Sequence, residues 1–159
     1  MKQLWAPWRL AYVQAAGTAE ACVFCQEAAG ELGGSSLVVR RGERAVVLLN
    51  KFPYSSGHLM VAPVRHIPSL GALEPEEAAE IHALTVQGIA ALTAVSAPDG
   101  FNVGWNLGAI AGGSIAAHLH QHVVPRWSGD TNFMPVLADV KVLPEHLEST
   151  RARLTEAWR

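Results

Sequence analysis

Short blocks of alternating apolar and polar residues open the readable pattern of this chain, give way to a longer helical rhythm, and then return. Ser36-Leu37-Val38-Val39 and Ala45-Val46-Val47-Leu48-Leu49 flank Arg41-Gly42-Glu43, and β-branched runs around such a turn predict a hairpin. A further strand is predicted from His58 to Ala62, ended by Pro63. From about Pro75 to Val95 the period changes: Ile81, Leu84, Gly88 and Leu92 fall on one helical stripe. Pro75 suits a first turn, and Glu76, Glu77 and Glu80 lie near the positive end of the helix dipole. The run Ser96-Ala97-Pro98-Asp99-Gly100 ends that helix. Strands over 101–107 and 118–124 are predicted to pair across a Gly-rich loop, and Pro144 opens a last helix with Leu147, Leu154 and Trp158 on one face. Hairpins with one long intervening helix predict an antiparallel α+β domain, and no internal repeat or low-complexity tract interrupts it.

Composition narrows the picture. The chain has 159 residues, 50% of them hydrophobic, which suffices for one domain with a core and is short for two. A formal charge of -2 offers no broad basic surface for nucleic acid. Pro7 and Arg9 interrupt what would be the apolar core of a signal peptide. No uninterrupted apolar run approaches the ~20 residues that span a bilayer, so no membrane partner is expected. Two cysteines and no disulfide framework fit a reducing cytoplasm, where the protein is expected to reside.

The chemistry concentrates in His118-Leu119-His120-Gln121-His122, which runs into Val123-Val124-Pro125. Strand side chains alternate faces, so three imidazoles would point one way while Leu119, Gln121 and Val123 point the other. Such a row is surface filler, an all-histidine zinc site for hydrolysis, or a site in which one imidazole attacks phosphorus. Upstream stands Gly108-Ala109-Ile110-Ala111-Gly112-Gly113-Ser114, a loop whose glycine amides and serine hydroxyl can turn toward an anion at close range. Its spacing is neither a dinucleotide fingerprint nor a P-loop. An anion cradle feeding the row favours phosphate chemistry. A metallohydrolase would need all three imidazoles to converge on one ion and would leave the loop unexplained. A non-catalytic nucleotide sensor or scaffold is a third class.

His118-Leu119-His120-Gln121-His122-Val123-Val124 resembles the signature of the histidine-triad (HIT) family. Leu49-Asn50-Lys51-Phe52-Pro53-Tyr54-Ser55-Ser56-Gly57-His58-Leu59-Met60-Val61-Ala62-Pro63 is similar to that family's nucleoside-binding strand, loop and following strand, and Gly112-Gly113-Ser114 resembles the loop before the triad. The likeness covers roughly residues 22 to 127. Gln121 departs from it, being polar where the family usually has an apolar residue. Leu4-Trp5-Ala6-Pro7-Trp8-Arg9 and Pro125-Arg126-Trp127-Ser128-Gly129-Asp130-Thr131-Asn132-Phe133 resemble the bacterial branch that contains the diadenosine tetraphosphate phosphorylases, its actinobacterial members most of all.

The resemblance implies a single HIT-like domain over 1–159, with an N-terminal extension at 1–21, a core at 22–127 and a C-terminal loop and helix at 128–159. It implies nucleotidyl transfer through a covalent nucleotidyl-histidine: His120 attacks phosphorus and a second acceptor cleaves the phosphoramidate. Asn50 binds the ribose or holds the loop that does so, and Asn106 joins it in nucleotide binding. Gly112, Gly113, Ser114 and His122 hold the α-phosphate, while His118 orients the row. The expected reaction is phosphorolysis of diadenosine tetraphosphate to ATP and ADP. Hydrolysis of dinucleoside polyphosphates or nucleoside phosphoramidates is the alternative. A small nucleotide and phosphate are the implied partners, and self-association as a homodimer or higher oligomer is implied too. No catalytic metal is required.

The cysteines form Cys22-Val23-Phe24-Cys25. A redox reading wants this beside a helix in a thioredoxin-like pattern, which does not follow, and a disulfide over so short a span would staple almost nothing. A zinc knuckle needs two more ligands. Zinc-binding HIT proteins and the related galactose-1-phosphate uridylyltransferases imply His66 and His118 as that pair. Two idle thiols are the bland alternative. His82 and His146 read as surface or packing histidines, and His58 as a structural hydrogen-bonder. Trp5 and Trp8 suit docking better than base stacking. Loop polarity explains Asp130 and Asn132 as well as a substrate contact does.

Overall fold

The computed structural model describes residues 22–111, 115, 117–130 and 144–158. Among these the chain forms helix α1 (Val23–Ala29), strands β1 (Val38–Arg41), β2 (Ala45–Leu49) and β3 (Leu59–Pro63), helix α2 (Pro75–Ser96), strands β4 (Gly100–Trp105) and β5 (Gln121–Arg126), and helix α3 (Leu147–Ala157). The strands make one antiparallel sheet in the order β1-β2-β3-β5-β4. The predicted α+β architecture, with its long central helix and C-terminal helix, is what the chain adopts.

Period-two alternation sorts the two faces of that sheet. Ala45, Val47 and Leu49 of β2, Leu59 and Val61 of β3, and Val123 of β5 pack with Ile81, Leu84, Ala91 and Leu92 of α2 and Leu154 of α3. Val46, Leu48, Met60 and Ala62 point the other way, onto Phe24 of α1. Helix α2 starts as its sequence dictates, with Pro75 in the first turn and a capping box between Glu74 and Glu77. By length and hydropathy α2 would suit a membrane span, but its buried stripe lies on the sheet. Gly88 lets it approach closely: an added Cβ would come within 3.2 Å of Leu59 and of Trp158.

Three local features differ from the expectation. Helix α1 was not read from the sequence; it is two turns long, too short for a periodic signal. Its buried Glu27 accepts from the Ser36 hydroxyl at 2.6 Å and the Leu37 N–H at 2.9 Å, which fastens it to the entry of β1. The strand predicted over 118–124 begins only at Gln121, because the Leu119 N–H donates to the Ile67 carbonyl at 2.7 Å instead of joining a strand ladder. Its partner ends at Trp105 rather than 107, so the pair is shifted to Trp105↔Gln121 at one end and Gly100↔Arg126 at the other.

Gln121 faces α2 as the alternation requires. Its side chain is half-buried there and meets the Thr85 hydroxyl at 2.5 Å. Thr85 itself lies 2.8 Å from the Ile81 carbonyl. A polar residue therefore packs behind the histidine row with its amide oxygen facing a hydroxyl.

Candidate functional site

The face of the sheet opposite α2 carries the histidines. His118, His120 and His122 are all buried, at 1%, 7% and 8% exposure. Only His122 lies on a regular strand, opposite Met60 of β3 and Gly104 of β4. His118 and His120 occupy the extended segment before it, yet the rings still share one side. The His120 ring meets the edge of His122 at 4.9 Å between centroids.

Each ring has a partner that assigns its proton. His120 Nδ1–H donates to the backbone carbonyl of His118 at 2.8 Å. A neutral imidazole carries one N–H, so Nε2 of His120 keeps its lone pair. Burial lowers the His120 pKa, and the bond to the carbonyl only partly offsets this, so the ring is neutral near neutral pH. A buried, neutral imidazole with a fixed tautomer, whose Nε2 has no hydrogen-bond partner among the described residues, has the chemistry a nucleophile needs.

His122 is governed by His58, which is hydrogen-bonded as its sequence position suggests. The Tyr54 N–H donates to His58 Nδ1 at 3.0 Å, and the Asn50 carboxamide nitrogen lies 3.4 Å from the same atom. His58 must then carry its proton on Nε2, which faces His122 Nδ1 at 2.9 Å. His122 in turn carries its proton on Nε2; the Asn106 carboxamide nitrogen, itself a donor, lies 3.2 Å from that atom, so the amide must turn its oxygen inward to pair with it. That N–H calls for an acceptor: the amide oxygen of Asn106 or an incoming phosphate oxygen. Burial first, and the charge of His120 second, push the His122 pKa down to about 4. In the sequence His58 shows only its place at a strand start; its bearing on His122 comes from the register that sets Met60 opposite His122.

Asn50 is buried, and both ends of its side chain serve the loop, since Oδ1 accepts the Phe52 N–H at 2.9 Å. Gly57, at φ +78° with Leu92 within 2.8 Å of an added Cβ, lets that loop return to His58. The Tyr54 ring stacks on His58 at 4.8 Å.

A second cluster adjoins the row. Single ligand atoms of Cys22, Cys25, His66 and His118 lie within 4.8 Å of one another. Cys22 Sγ is 3.2 Å from His118 Nδ1, Cys25 Sγ is 3.6 Å from the same atom, and Cys25 Sγ is 3.3 Å from His66 Nδ1. Tetrahedral zinc, with S and N at their usual bond lengths, sets such pairs roughly 3.6 Å apart, so the group fits a metal. His118 Nε2–H donates to the Pro63 carbonyl at 2.8 Å, which leaves Nδ1 unprotonated toward the cysteines. Burial, ahead of the neighbouring histidines' charges, lowers the His118 pKa. The neighbouring Arg65 makes a paired contact to Glu77 at 2.7 Å and reaches the Ala72 carbonyl at 3.0 Å. The Cys22-Cys25 pair thus does sit on a helix, α1, but the structure sets it beside two histidines.

Asp130 pairs with Arg126 and accepts the Trp127 N–H, while the Ser128 N–H donates to Asp99 at 2.6 Å; these bonds shape the loop after β5. His82 and His146 are exposed, on α2 and at the N-cap of α3. Trp5, Trp8, Gly112, Gly113, Ser114 and Asn132 lie outside the described residues.

Sequence and fold match known proteins. A family model described as the HIT domain covers residues 34–129, and the chain belongs to the HIT family. An AP-4-A phosphorylase of Mycobacterium tuberculosis is 42% identical over 168 aligned residues, spanning 99% of this chain and 85% of that protein. An adenylylsulfatase of Arabidopsis thaliana is 30% identical, over 69% of this chain and 54% of its own length. Among solved structures, a Zn-bound histidine-triad protein from Mycobacterium smegmatis superposes with a TM-score of 0.69 at 26% identity, covering 87% of this chain and 93% of that one. These relatives support nucleotide processing of the HIT type.

The depressed pKa of His122 carries a stability consequence. In the unfolded chain this imidazole titrates near its ordinary 6.5, and in the folded protein near about 4. The unfolded state therefore binds the proton first, and stability that is complete above about 6.5 is lost as the pH falls toward about 4. Melting temperature should decline over that interval. The His122→Gln variant should show a shallower decline, by up to about one proton. Parallel profiles for the two proteins would show that His122 is not the titrating group.

Proposed function

We propose that the protein is a nucleotidyl transferase that works through a nucleotidyl-His120 intermediate and phosphorolyses diadenosine tetraphosphate to ATP and ADP. The observation that carries this reading is the bond from His120 Nδ1–H to the His118 carbonyl, which leaves Nε2 as the attacking atom. The identity to the mycobacterial phosphorylase over nearly the whole chain supports the choice of substrate.

Nε2 attacks the α-phosphorus; a P–N bond forms and the P–O bond to departing ATP breaks. Phosphate then attacks the same phosphorus, the P–N bond breaks, and ADP leaves. One imidazole serves first as nucleophile and then as leaving group, which splits a difficult displacement in two. The His122 Nε2–H, the amides of Gly112 and Gly113 and the Ser114 hydroxyl hold the α-phosphate oxygens where charge accumulates. Asn106 holds His122 from the substrate side, and Asn50 keeps the nucleoside loop on His58. His118 contributes its carbonyl to His120 and its ring to the metal. We read the whole chain, 1–159, as one domain acting in the cytoplasm on a small nucleotide.

Zinc at Cys22, Cys25, His66 and His118 is proposed as structural. Its chemistry there is to bind two thiolates and two imidazoles, tying α1 to the segments after β3 and before β5. Protein purified without chelators should contain one zinc per chain. Chelation should lower the melting temperature, because the site exists only in the folded state. Elemental analysis that finds no metal removes the claim.

Self-association is proposed through β4, the sheet edge. A second copy of β4 would satisfy its open backbone. Val103 on β4 and Val86 on α2 stand exposed beside an apolar groove lined by Ile89 and Trp105. Sedimentation should give at least twice the 17.0 kDa chain mass, and Val103→Asp should reduce it. A monomer in the unsubstituted protein sinks this arrangement.

His120→Ala should lose at least ~10³-fold in rate, since both half-reactions pass through that ring. Labelled phosphate should enter the ADP product. Equal rates without phosphate, yielding AMP throughout, would identify a hydrolase with the same intermediate. Near-normal turnover by His120→Ala overturns the mechanism.

A further inference from the structure

Phe24 stands between the two cysteines and is fully buried. Its ring lies against His118, at 5.0 Å and 43° between planes, and against His120, at 4.7 Å and 31°. On its other sides it meets Val46, Leu48, Met60 and Ala62, so β2 and β3 back it with packed side chains. The His120 imidazole is thereby enclosed, with the Phe24 ring, tilted 31° from it, on one side and the His122 ring, nearly perpendicular at 78°, on another.

The hydrogen bond to the His118 carbonyl fixes where Nδ1 points but not the plane of the ring. One bond is a pivot. About it the imidazole can tilt, and rotation about Cβ–Cγ would replace Nδ1–H with a carbon, releasing the tautomer. A flat, apolar surface at van der Waals range removes both freedoms and offers no competing hydrogen-bond acceptor. In-line attack tolerates little misalignment of the nucleophile, so that restraint bears on the barrier.

We infer that Phe24 is a positioning residue for the nucleophile, holding the His120 imidazole in the plane that keeps Nδ1 on the His118 carbonyl and Nε2 toward the phosphate. The rate part of this inference rests on His120 being the attacking group. The turn that would bind metal through Cys22 and Cys25 thus also carries the surface against which the reacting ring is set.

Phe24→Leu, which keeps apolar volume and loses the flat face, and Phe24→Ala separate positioning from simple packing. Both are made in the full chain and assayed with diadenosine tetraphosphate and inorganic phosphate. Zinc content should stay at the unsubstituted level and KM should move less than about twofold, while kcat falls about tenfold in Phe24→Leu and more in Phe24→Ala. Proton–nitrogen spectra of the free protein should show one His120 tautomer, protonated at Nδ1, and a mixture in the variants. Unchanged ring spectra, or a kcat loss that only follows the folded or zinc-bound fraction, overturn the inference. The ring spectra need no substrate. If His120→Ala proves active and the nucleophile assignment fails, they still decide whether Phe24 holds the ring.

Discussion

An imidazole withdrawn from water has a single proton to place, and whatever meets one of its nitrogens decides what the other can do. Four histidines on one side of this sheet live under that rule. The His118 carbonyl claims the proton of His120, the Pro63 carbonyl claims that of His118, and the Tyr54 amide pushes the proton of His58 toward His122. Three different arrangements result from one side-chain type: a lone pair on Nε2 of His120, a lone pair of His118 turned toward two cysteines, and an N–H on Nε2 of His122. Burial makes the rule strict, because a ring without water cannot change partners freely or take a second proton cheaply.

The two faces of the sheet divide the remaining work. Toward α2 and α3 the residues are aliphatic and closely fitted, down to the glycine at 88 that admits Leu59 and Trp158. The opposite face carries the rings and the α1 turn. Strand alternation alone enforces this division, so a shift of β5 by one residue would drive the imidazole of His122 into the aliphatic layer. Gln121 shows how closely the register is held: the polar side chain on the packed face is accommodated by one threonine hydroxyl.

Much of this was legible from residue order. The long helix, the hairpin, the antiparallel class and the shared side of the three histidines all follow from period and turn chemistry, and the structure has them. The CxxC with His66 and His118 was readable as a metal group through family resemblance. Three things were not legible. Helix α1 is held by the buried carboxylate of Glu27, a tertiary contact with no local period. The segment at 118–120 leaves the strand ladder because Ile67, more than fifty residues earlier, supplies its carbonyl. The role of His58 depends on which residue β5 sets across from β3, and register between strands far apart in sequence cannot be read from either strand alone.

The relay to His122 begins at a main-chain N–H, and that origin has a consequence for how the site can vary. Every residue except proline brings an amide to position 54, so the bond that places the His58 proton comes from the main chain, while the Tyr54 ring stacked on His58 is a separate contact. The protonation pattern is in this sense written in the path of the chain. Replacing the tyrosine by any residue but proline would keep that amide and change only the ring packed over His58 and His122.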